Sequence, residues 1–345
     1  MPGVTLAELG GWPMVLNRLV AREDLTSTQA AAALAEILDG NASDAQIAAF
    51  AVGLRMKGET VEEMSALVRT MVSYAEPVDV PGAIDTCGTG GDRSHSINVS
   101  TLAAFVVAGA GAPVCKHGNR AASSSAGSAD LLEAFGVRID LDARGVERCV
   151  AEAGMGFCFA PKFHAASRHA VPVRREIGVP TVFNYLGPLA NPSRPARQVV
   201  GVSDPAMADK MLGVLEANGA THAMVVYGHD GLDELTTTTT STVLELRDGE
   251  TRTYVVEPAS LGLPLADAGS LRGGDAATNA DLGRRVLEGG AGPHRDVVIL
   301  NAAAGLVVAG IAADLVDGLA LACEVVDDGR AMAVVDRLVA ASNQP

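Results

Sequence analysis

Residues suited to phosphate chemistry are concentrated in one stretch, residues 85–130. Asp85-Thr86-Cys87-Gly88-Thr89-Gly90-Gly91-Asp92 leads to Asn98-Val99-Ser100-Thr101. A second cluster, Lys116-His117-Gly118-Asn119-Arg120-Ala121-Ala122-Ser123-Ser124-Ser125, leads to Gly127-Ser128-Ala129-Asp130. Gly88, Gly90 and Gly91 let the backbone approach a ligand closely, and successive N–H groups then point at phosphate oxygens. The loop is neither GxGxxG nor GxxxxGK followed by Ser or Thr, so neither a dinucleotide fingerprint nor a P-loop follows. Taken alone, such a turn is also a common structural device. Asp92 inside an anion cradle suits acceptance of hydroxyl hydrogens from a sugar.

The second cluster strengthens the phosphate reading. The chain has only four lysines against 22 arginines, and one of the four, Lys116, stands directly before His117-Gly118-Asn119-Arg120. A compact point charge suits a phosphate where a planar fork does not. Ser123, Ser124, Ser125 and Ser128 add donors, and Gly127-Ser128 opens a helix whose N-terminus favours anions. The plainer alternative is a polar turn with an N-cap. Asp233-Glu234 supplies hard oxygen ligands after a strand. Mg²⁺ is commonly held by one or two carboxylates plus substrate phosphates, so the pair suits a metal–phosphate complex better than an all-protein cage. Residues 161–175 carry Lys162, Arg168, Arg174, Arg175, His164 and His169 with no acid. This is either a solvated helix face or an anion-facing wall beside the cradle. His117 is read as an acid/base, a ligand or a loop histidine packed against substrate. There is no Ser-His-Asp order and no HExxH.

The rest of the chain supports these residues. Its 345 residues suffice for more than one domain. A composition of 48% hydrophobic but 3% aromatic residues, with 38 glycines, indicates an α/β protein packed with Ala, Val and Leu and rich in tight turns. The net charge of −15 argues against nucleic acid as the main partner. Five scattered cysteines without a CxxC pair, and no secretory h-region, fit a reducing cytoplasm. Cys87 reads as a small buried filler. Two uncharged runs, 94–115 and 297–313, read as buried helices. The first is broken by Asn98, Gly109, Gly111 and Pro113, and the second falls short of the ~20 residues needed to span a bilayer.

In order along the chain, Thr26 with Gln29, Ser43 with Gln46 and Thr60 with Glu63 have capping-box spacing. They open three short helices before residue 76, with Leu34, Ile37, Leu38, Ile47, Phe50, Leu54, Met64 and Leu67 inside. Strands are expected at 83–86, 113–117 and 137–141, alternating with helices at 100–111, 128–136 and 142–153. Residues 183–192 read as a linker crossing between lobes. Strands at 198–202 and 222–227 follow, flanking a helix at 206–217, and an antiparallel pair at 243–246 and 252–256 turns around Asp248-Gly249. The last 70 residues are mainly helical. The fold class is α/β, with a small all-helical N-terminal lobe and a larger lobe whose mainly parallel sheet is flanked by helices. The helical domain is 1–77, with a returning segment near 163–194, and the α/β domain is 78–162 and 195–345.

These motifs together resemble the anthranilate phosphoribosyltransferase family, whose fold is nucleoside phosphorylase/phosphoribosyltransferase-like. The resemblance is carried by Gly88 to Asp92, Asn98 to Thr101, Lys116 to Arg120 with its serines, Gly127 to Asp130, Arg174, residues 183–192 and Gly231-Leu232-Asp233-Glu234-Leu235. It spans roughly residues 10–340. It implies a Mg²⁺-dependent transfer of phosphoribose from phosphoribosyl pyrophosphate to the amine of anthranilate in tryptophan biosynthesis, by a cytoplasmic homodimer joined through the helical lobe. By the same resemblance, Gly88, Gly91, Asp92, Ser96, Asn98, Val99, Ser100, Thr101, Lys116, His117, Gly118, Asn119, Arg120, Ala121, Ala122, Ser123, Ser124 and Ser128 hold the donor. Gly88, Asn119 and Arg174 meet anthranilate, and Ser100, Asp233 and Glu234 serve the metal. No general base is assigned. Two departures stand out: Arg93 where the family commonly has glycine, and Thr239-Thr240 in place of a Gly-Pro pair. The alternatives are a pyrimidine nucleoside phosphorylase and a non-catalytic relative that binds nucleic acid.

Overall fold

A computed structural model describes residues 4–121, 125–267 and 269–345. The three capping boxes form as their spacing requires, opening helices Ser27–Leu38, Asp44–Lys57 and Val61–Ser73. All eight expected inner residues are buried. A fourth helix, Gly11–Val20, precedes them, which the sequence reading did not include. It has no side-chain cap and starts after Gly10 in the left-handed conformation, so it carries no capping signature.

The sheet has five strands in the order β1 (Asp85–Gly88), β4 (Arg197–Gly201), β5 (His222–Gly228), β6 (Ser241–Arg247) and β7 (Glu250–Val256). The first three are mutually parallel and the last two run antiparallel. A parallel pair, β2 (Val114–Gly118) and β3 (Met155–Phe159), joins the β1 edge through the bridge Ile84↔Val114. Parallel neighbours put the C-terminal ends of β1, β2 and β4 at one edge, which is where ligands bind in such sheets.

Two expectations need correction. Residues 137–141 are not a strand: the preceding helix stops at Gly136 in the left-handed conformation, and Arg138 N–H donates to Ser342 Oγ at 3.1 Å in the C-terminal helix. Val137, Ile139 and Leu141 are buried, so their alternation reflects packing and not a ladder. The strand is instead β3, whose Gly156 lies directly against Val146 and Val150 of the preceding helix. Nor is 183–192 a plain linker. Val182–Leu189 is a helix opened by Thr181 and Asn184. Carbonyls at and just past its C-terminal end are bound by side chains from other elements. His117 Nδ1 meets Gly187 O at 3.1 Å, Gln198 Nε2 donates to Pro188 O at 2.6 Å, and His164 Nε2 meets Ala190 O at 2.8 Å.

Alternate residues of the central strands face two apolar clusters. Val200, Ala223, Val225, Leu244 and Leu246 join the N-terminal helices and helix Ala208–Ala217. Val199, Met224, Val226 and Val243 join the helices Val99–Gly109 and Pro293–Ala309. The first helix lies inside the uncharged run 94–115 and the second takes its buried part from the run 297–313, and no helix of the described residues is long and apolar enough to cross a membrane.

Candidate active site

The glycine loop leaves the C-terminal end of β1 and re-enters the fold as helix Val99–Gly109. Thr89 N–H continues the ladder onto Gly201 O at 2.9 Å. Ser203, just past β4, then braces the loop: its Oγ donates to Gly90 O at 2.8 Å, and its N–H donates to Thr89 Oγ1 at 3.1 Å. Arg93 and His95 sit at φ 57° and 53°. Arg93 thus occupies, with a side chain, the backbone region glycine enters freely. Asn98 at the helix start makes no side-chain cap, and its amide is used elsewhere, donating to Ala126 O at 3.0 Å and accepting from Asn279 Nδ2 at 2.9 Å. Of the first N–H groups of the helix, Val99 N–H donates to Ile97 O at 2.8 Å and Ser100 N–H to Glu234 Oε1 at 3.2 Å. The Val99 and Thr101 side chains are buried and face away from a ligand's reach.

Asp233 and Glu234 lie across this opening. Gly90 N–H donates to Asp233 Oδ2 at 2.7 Å, and Ser100 N–H donates to Glu234 Oε1 at 3.2 Å. A Cβ on Gly88 would stand 3.1 Å from Asp233 Cγ, so a side chain at 88 would displace the Asp233 carboxylate. Asp92 from the glycine loop meets Asp233 side chain to side chain. Burial, then the Asp92 charge, pushes the Asp233 carboxyl up to about 7. Burial and Asp233 hold Glu234 well above the usual carboxylate range, against the pull of Lys116. Three crowded carboxylates are what a bound divalent cation would relieve, since it favours their charged forms. Among the described residues no group of three or more His, Cys, Asp or Glu side chains forms a metal cage. The donor set therefore fits a hard cation that takes its remaining oxygens from substrate.

The second loop begins at β2. Lys116 is buried, and its Nζ donates to Thr86 O and, at 3.3 Å, to Ser100 Oγ. The lysine thus joins β1, β2 and the helix start. Behind it, Asp85 is buried and pushed up to about 6 by desolvation, although Lys116, Asn191 and His117 N–H all favour its charge. Asn191 Nδ2 donates to Asp85 Oδ2 at 2.9 Å and to Cys115 O at 2.8 Å. His117 lies on β2, not in a loop, and burial followed by the neighbouring His164 pushes it down to about 3. Its ring is neutral near pH 7 and does not act as an acid. Because Nδ1 must donate to the Gly187 carbonyl, Nε2 is an acceptor, buried without a partner among the described residues. Beyond β2, Asp130 Oδ2 accepts from Ala121 N at 3.0 Å and Gly127 N at 2.8 Å, and Ser128 Oγ donates to Asn119 O at 3.2 Å. Arg120 is paired with Asp130 at 2.9 Å and Glu133 at 2.5 Å and lies over Phe159. Ala122, Ser123 and Ser124 lie outside the described residues.

The basic segment 161–175 folds into short helical turns ending in helix Val171–Ile177. Arg174 is partly buried, with its guanidinium 5.7 Å from the centre of the Phe183 ring, and desolvation lowers its pKa. It has no carboxylate partner among the described residues. Ser96 forms a bridge to Arg272 at the far side of the glycine loop. The departure at Thr239-Thr240 is accommodated locally: Thr240 Oγ1 meets His229 Nδ1 at 2.8 Å, and His229 N–H donates to Thr240 O at 3.0 Å. The loop carrying Asp233 and Glu234 is thereby closed by a polar clip.

Gly201, Ser203 and Asn191 were not singled out from sequence, although they brace the site. The only sequence signal for Asn191 was its place in the turn-rich segment. Gly201 ends an ordinary strand, Ser203 follows it, and neither carried a signal.

Residues 80–332 match the "Glycosyl transferase family, a/b domain" and residues 13–75 the "Glycosyl transferase family, helical bundle domain". Fold and site together therefore define a two-lobed glycosyl transferase. An anthranilate phosphoribosyltransferase of a Nocardioides species is 54% identical over 337 residues, covering 96% of this chain and 98% of its own. That of Acidothermus cellulolyticus is 53% identical, covering 97% and 96%. The crystal structure of the Thermus thermophilus anthranilate phosphoribosyltransferase superposes with a TM-score of 0.91 at 41% identity over 96% of this chain and 99% of that one. The Saccharomyces cerevisiae enzyme in complex with PRPP and Mg does so with 0.86 at 25% over 96% and 97%. This chain belongs to the anthranilate phosphoribosyltransferase family.

Proposed function

We propose that the protein transfers the phosphoribosyl group of phosphoribosyl pyrophosphate to the amine of anthranilate, releasing pyrophosphate, in tryptophan biosynthesis. The carrying observation is that Asp233 and Glu234 are hydrogen-bonded to Gly90 and Ser100, so a carboxylate pair lies against both the glycine loop and the N-terminus of its helix. The glycine loop and the helix start after it, Gly88 to Thr101, and the second cluster, Lys116 to Arg120 with Ser128, form the donor cradle. Asp92 reads the sugar hydroxyls. Asp233, Glu234 and Ser100 would hold Mg²⁺, which supplies charge neutralisation to the departing pyrophosphate when bound.

Positive charge develops at the anomeric carbon as the bond to pyrophosphate breaks, as in glycoside chemistry. Main-chain N–H groups of the cradle and the Lys116 ammonium stabilise the negative charge that grows on the other side. Arg174, desolvated and without an acidic partner, pairs with the anthranilate carboxylate, while Gly88 and Asn119 bound the ring. An arylamine is uncharged at neutral pH and requires orientation more than deprotonation. No general base is assigned: burial pushes His117 down to about 3, which makes its free nitrogen a weak base near pH 7.

The same reading divides the chain into a helical lobe, 1–77 with a returning segment near 163–194, and an α/β lobe, 78–162 and 195–345. It makes the protein a cytoplasmic homodimer joined through the helical lobe, where Val20 is 84% and Met56 72% exposed. Sedimentation velocity showing only monomer would remove the dimer. Activity is tested by the loss of anthranilate fluorescence on adding phosphoribosyl pyrophosphate with Mg²⁺. No loss with folded protein would remove the assignment.

A further inference from the structure

We propose that Asn301 is a positioning residue for the Asp233–Glu234 pair, holding the backbone that presents both carboxylates to the metal-bound donor. The inference rests on the reading of the site given above. Asn301 is the one polar side chain in the run 297–308 of helix Pro293–Ala309, and every residue of that run is buried. An amide placed there without partners would be strongly disfavoured. Its polar groups are instead directed at one place. Oδ1 accepts from Leu235 N–H at 2.9 Å, and Nδ2 donates to Leu235 O at 2.8 Å and to Val297 O at 2.9 Å. Both main-chain groups of the residue directly after Glu234 are held by one side chain, as a neighbouring strand would hold them.

The other bonds to the pair are of a different kind. Gly90 N–H and Ser100 N–H bind the carboxylate oxygens themselves, which a cation would share. On the N-terminal side Gly228 N–H donates to Leu232 O at 2.8 Å, and one residue beyond Leu235 the Thr236 N–H donates to Ser241 Oγ at 2.9 Å, while Asn301 alone binds both main-chain groups of the residue directly after Glu234. One helical turn beyond Asn301, a Cβ on Gly305 would stand 2.7 Å from Val107 and 3.9 Å from Ile84. Helix Pro293–Ala309 is thus in close contact with the helix that carries Ser100 and with the entrance to β1. A single buried helix sets the carboxylate pair in register with the other half of the site.

The test uses Asn301→Ala and Asn301→Asp, the second keeping an acceptor for Leu235 N–H. The measurements are calorimetric titration of phosphoribosyl pyrophosphate at graded Mg²⁺, and Mn²⁺ binding in its presence by electron paramagnetic resonance. The Mg²⁺ concentration for half-maximal donor binding is expected to rise roughly 10- to 100-fold in both variants. The anthranilate KM at saturating Mg²⁺ should stay as in the wild type. Unchanged Mg²⁺ dependence in a folded variant overturns the proposal, as does an equal loss of donor and anthranilate affinity. Should neither variant fold, hydrogen exchange on the metal-free native protein decides: the Leu235 amide should be protected, and exchange as fast as an open loop overturns the anchor. A wild type whose donor binding ignores Mg²⁺ would instead remove the functional reading itself.

Discussion

Gly201, the last residue of β4, lies directly beneath Asp233, so close that a Cβ at 201 would occupy the space of the Asp233 carbonyl oxygen. The carboxylate pair thus rests on the bare backbone of the strand next to β1, and the absence of a side chain there is part of the site. Gly201→Ala should displace the Asp233 loop, costing about 1–3 kcal/mol in stability. Donor use should fall more than anthranilate use. Urea unfolding and separate KM values for the two substrates measure both effects.

Asp233→Asn and Lys116→Ala remove charge from the donor side. Lys116 is buried and touches Thr86 and Ser100, so its loss also leaves acceptors without a donor. Each change is expected to lower kcat/KM for phosphoribosyl pyrophosphate by roughly 100- to 1,000-fold, the scale of losing one preorganised electrostatic group. Steady-state kinetics at saturating anthranilate checks this, and a change of less than threefold would count against the assignment.

Arg174→Ala should act on the other substrate. The guanidinium has no acidic partner among the described residues, so its removal breaks no internal ion pair and stability should change little. The anthranilate KM should rise roughly tenfold or more, as expected on losing a charge-assisted bond. An unchanged anthranilate KM would dissociate Arg174 from the acceptor.

Glu245, far from the site on β6, predicts the acid limit of the fold. Its buried carboxylate accepts from His222 Nε2 at 3.1 Å, Tyr254 OH at 2.9 Å and Arg252 Nε at 3.0 Å. These bonds, outweighing burial, lower it from 4.5 to about 2. A folded-state pKa below the unfolded one means the stabilisation is present above the unfolded value and is lost as pH falls through the folded value. Glu245→Gln should therefore be less stable than wild type by about 1–2 kcal/mol at pH 7, the shift being discounted for the solvent around Arg252. The gap should narrow between about pH 4.5 and pH 2. Unfolding free energies at pH 7, 5 and 3 test the trend, and a gap that widens on acidification would contradict it.

Several parts of this molecule were legible because the chemistry involved is local. Thr26 and Gln29 close their capping box within one turn. Asp248-Gly249 turns its hairpin with both residues at positive φ, 52° and 84°. The glycine loop, Lys116 and the Asp233-Glu234 pair were visible as residue types suited to a metal-bound phosphate. The helix Gly11–Val20 was not legible, because a left-handed Gly10 opens it without a side-chain cap. The alternation at Val137, Ile139 and Leu141 misled, because burial against a helix imposes the same pattern as a strand.

Sequence by itself determined which residues could bind phosphate, where the capped helices begin, and the family to which these motifs point. Tertiary structure decided which residues support them. Gly201 under Asp233, Asn301 holding Leu235, and Gly187 meeting His117 are contacts between distant segments, set by the order of strands in the sheet and by which helix covers them. A hydrogen bond or close approach acts over about 3 Å. No local pattern reveals such a partner until the chain has folded back on itself.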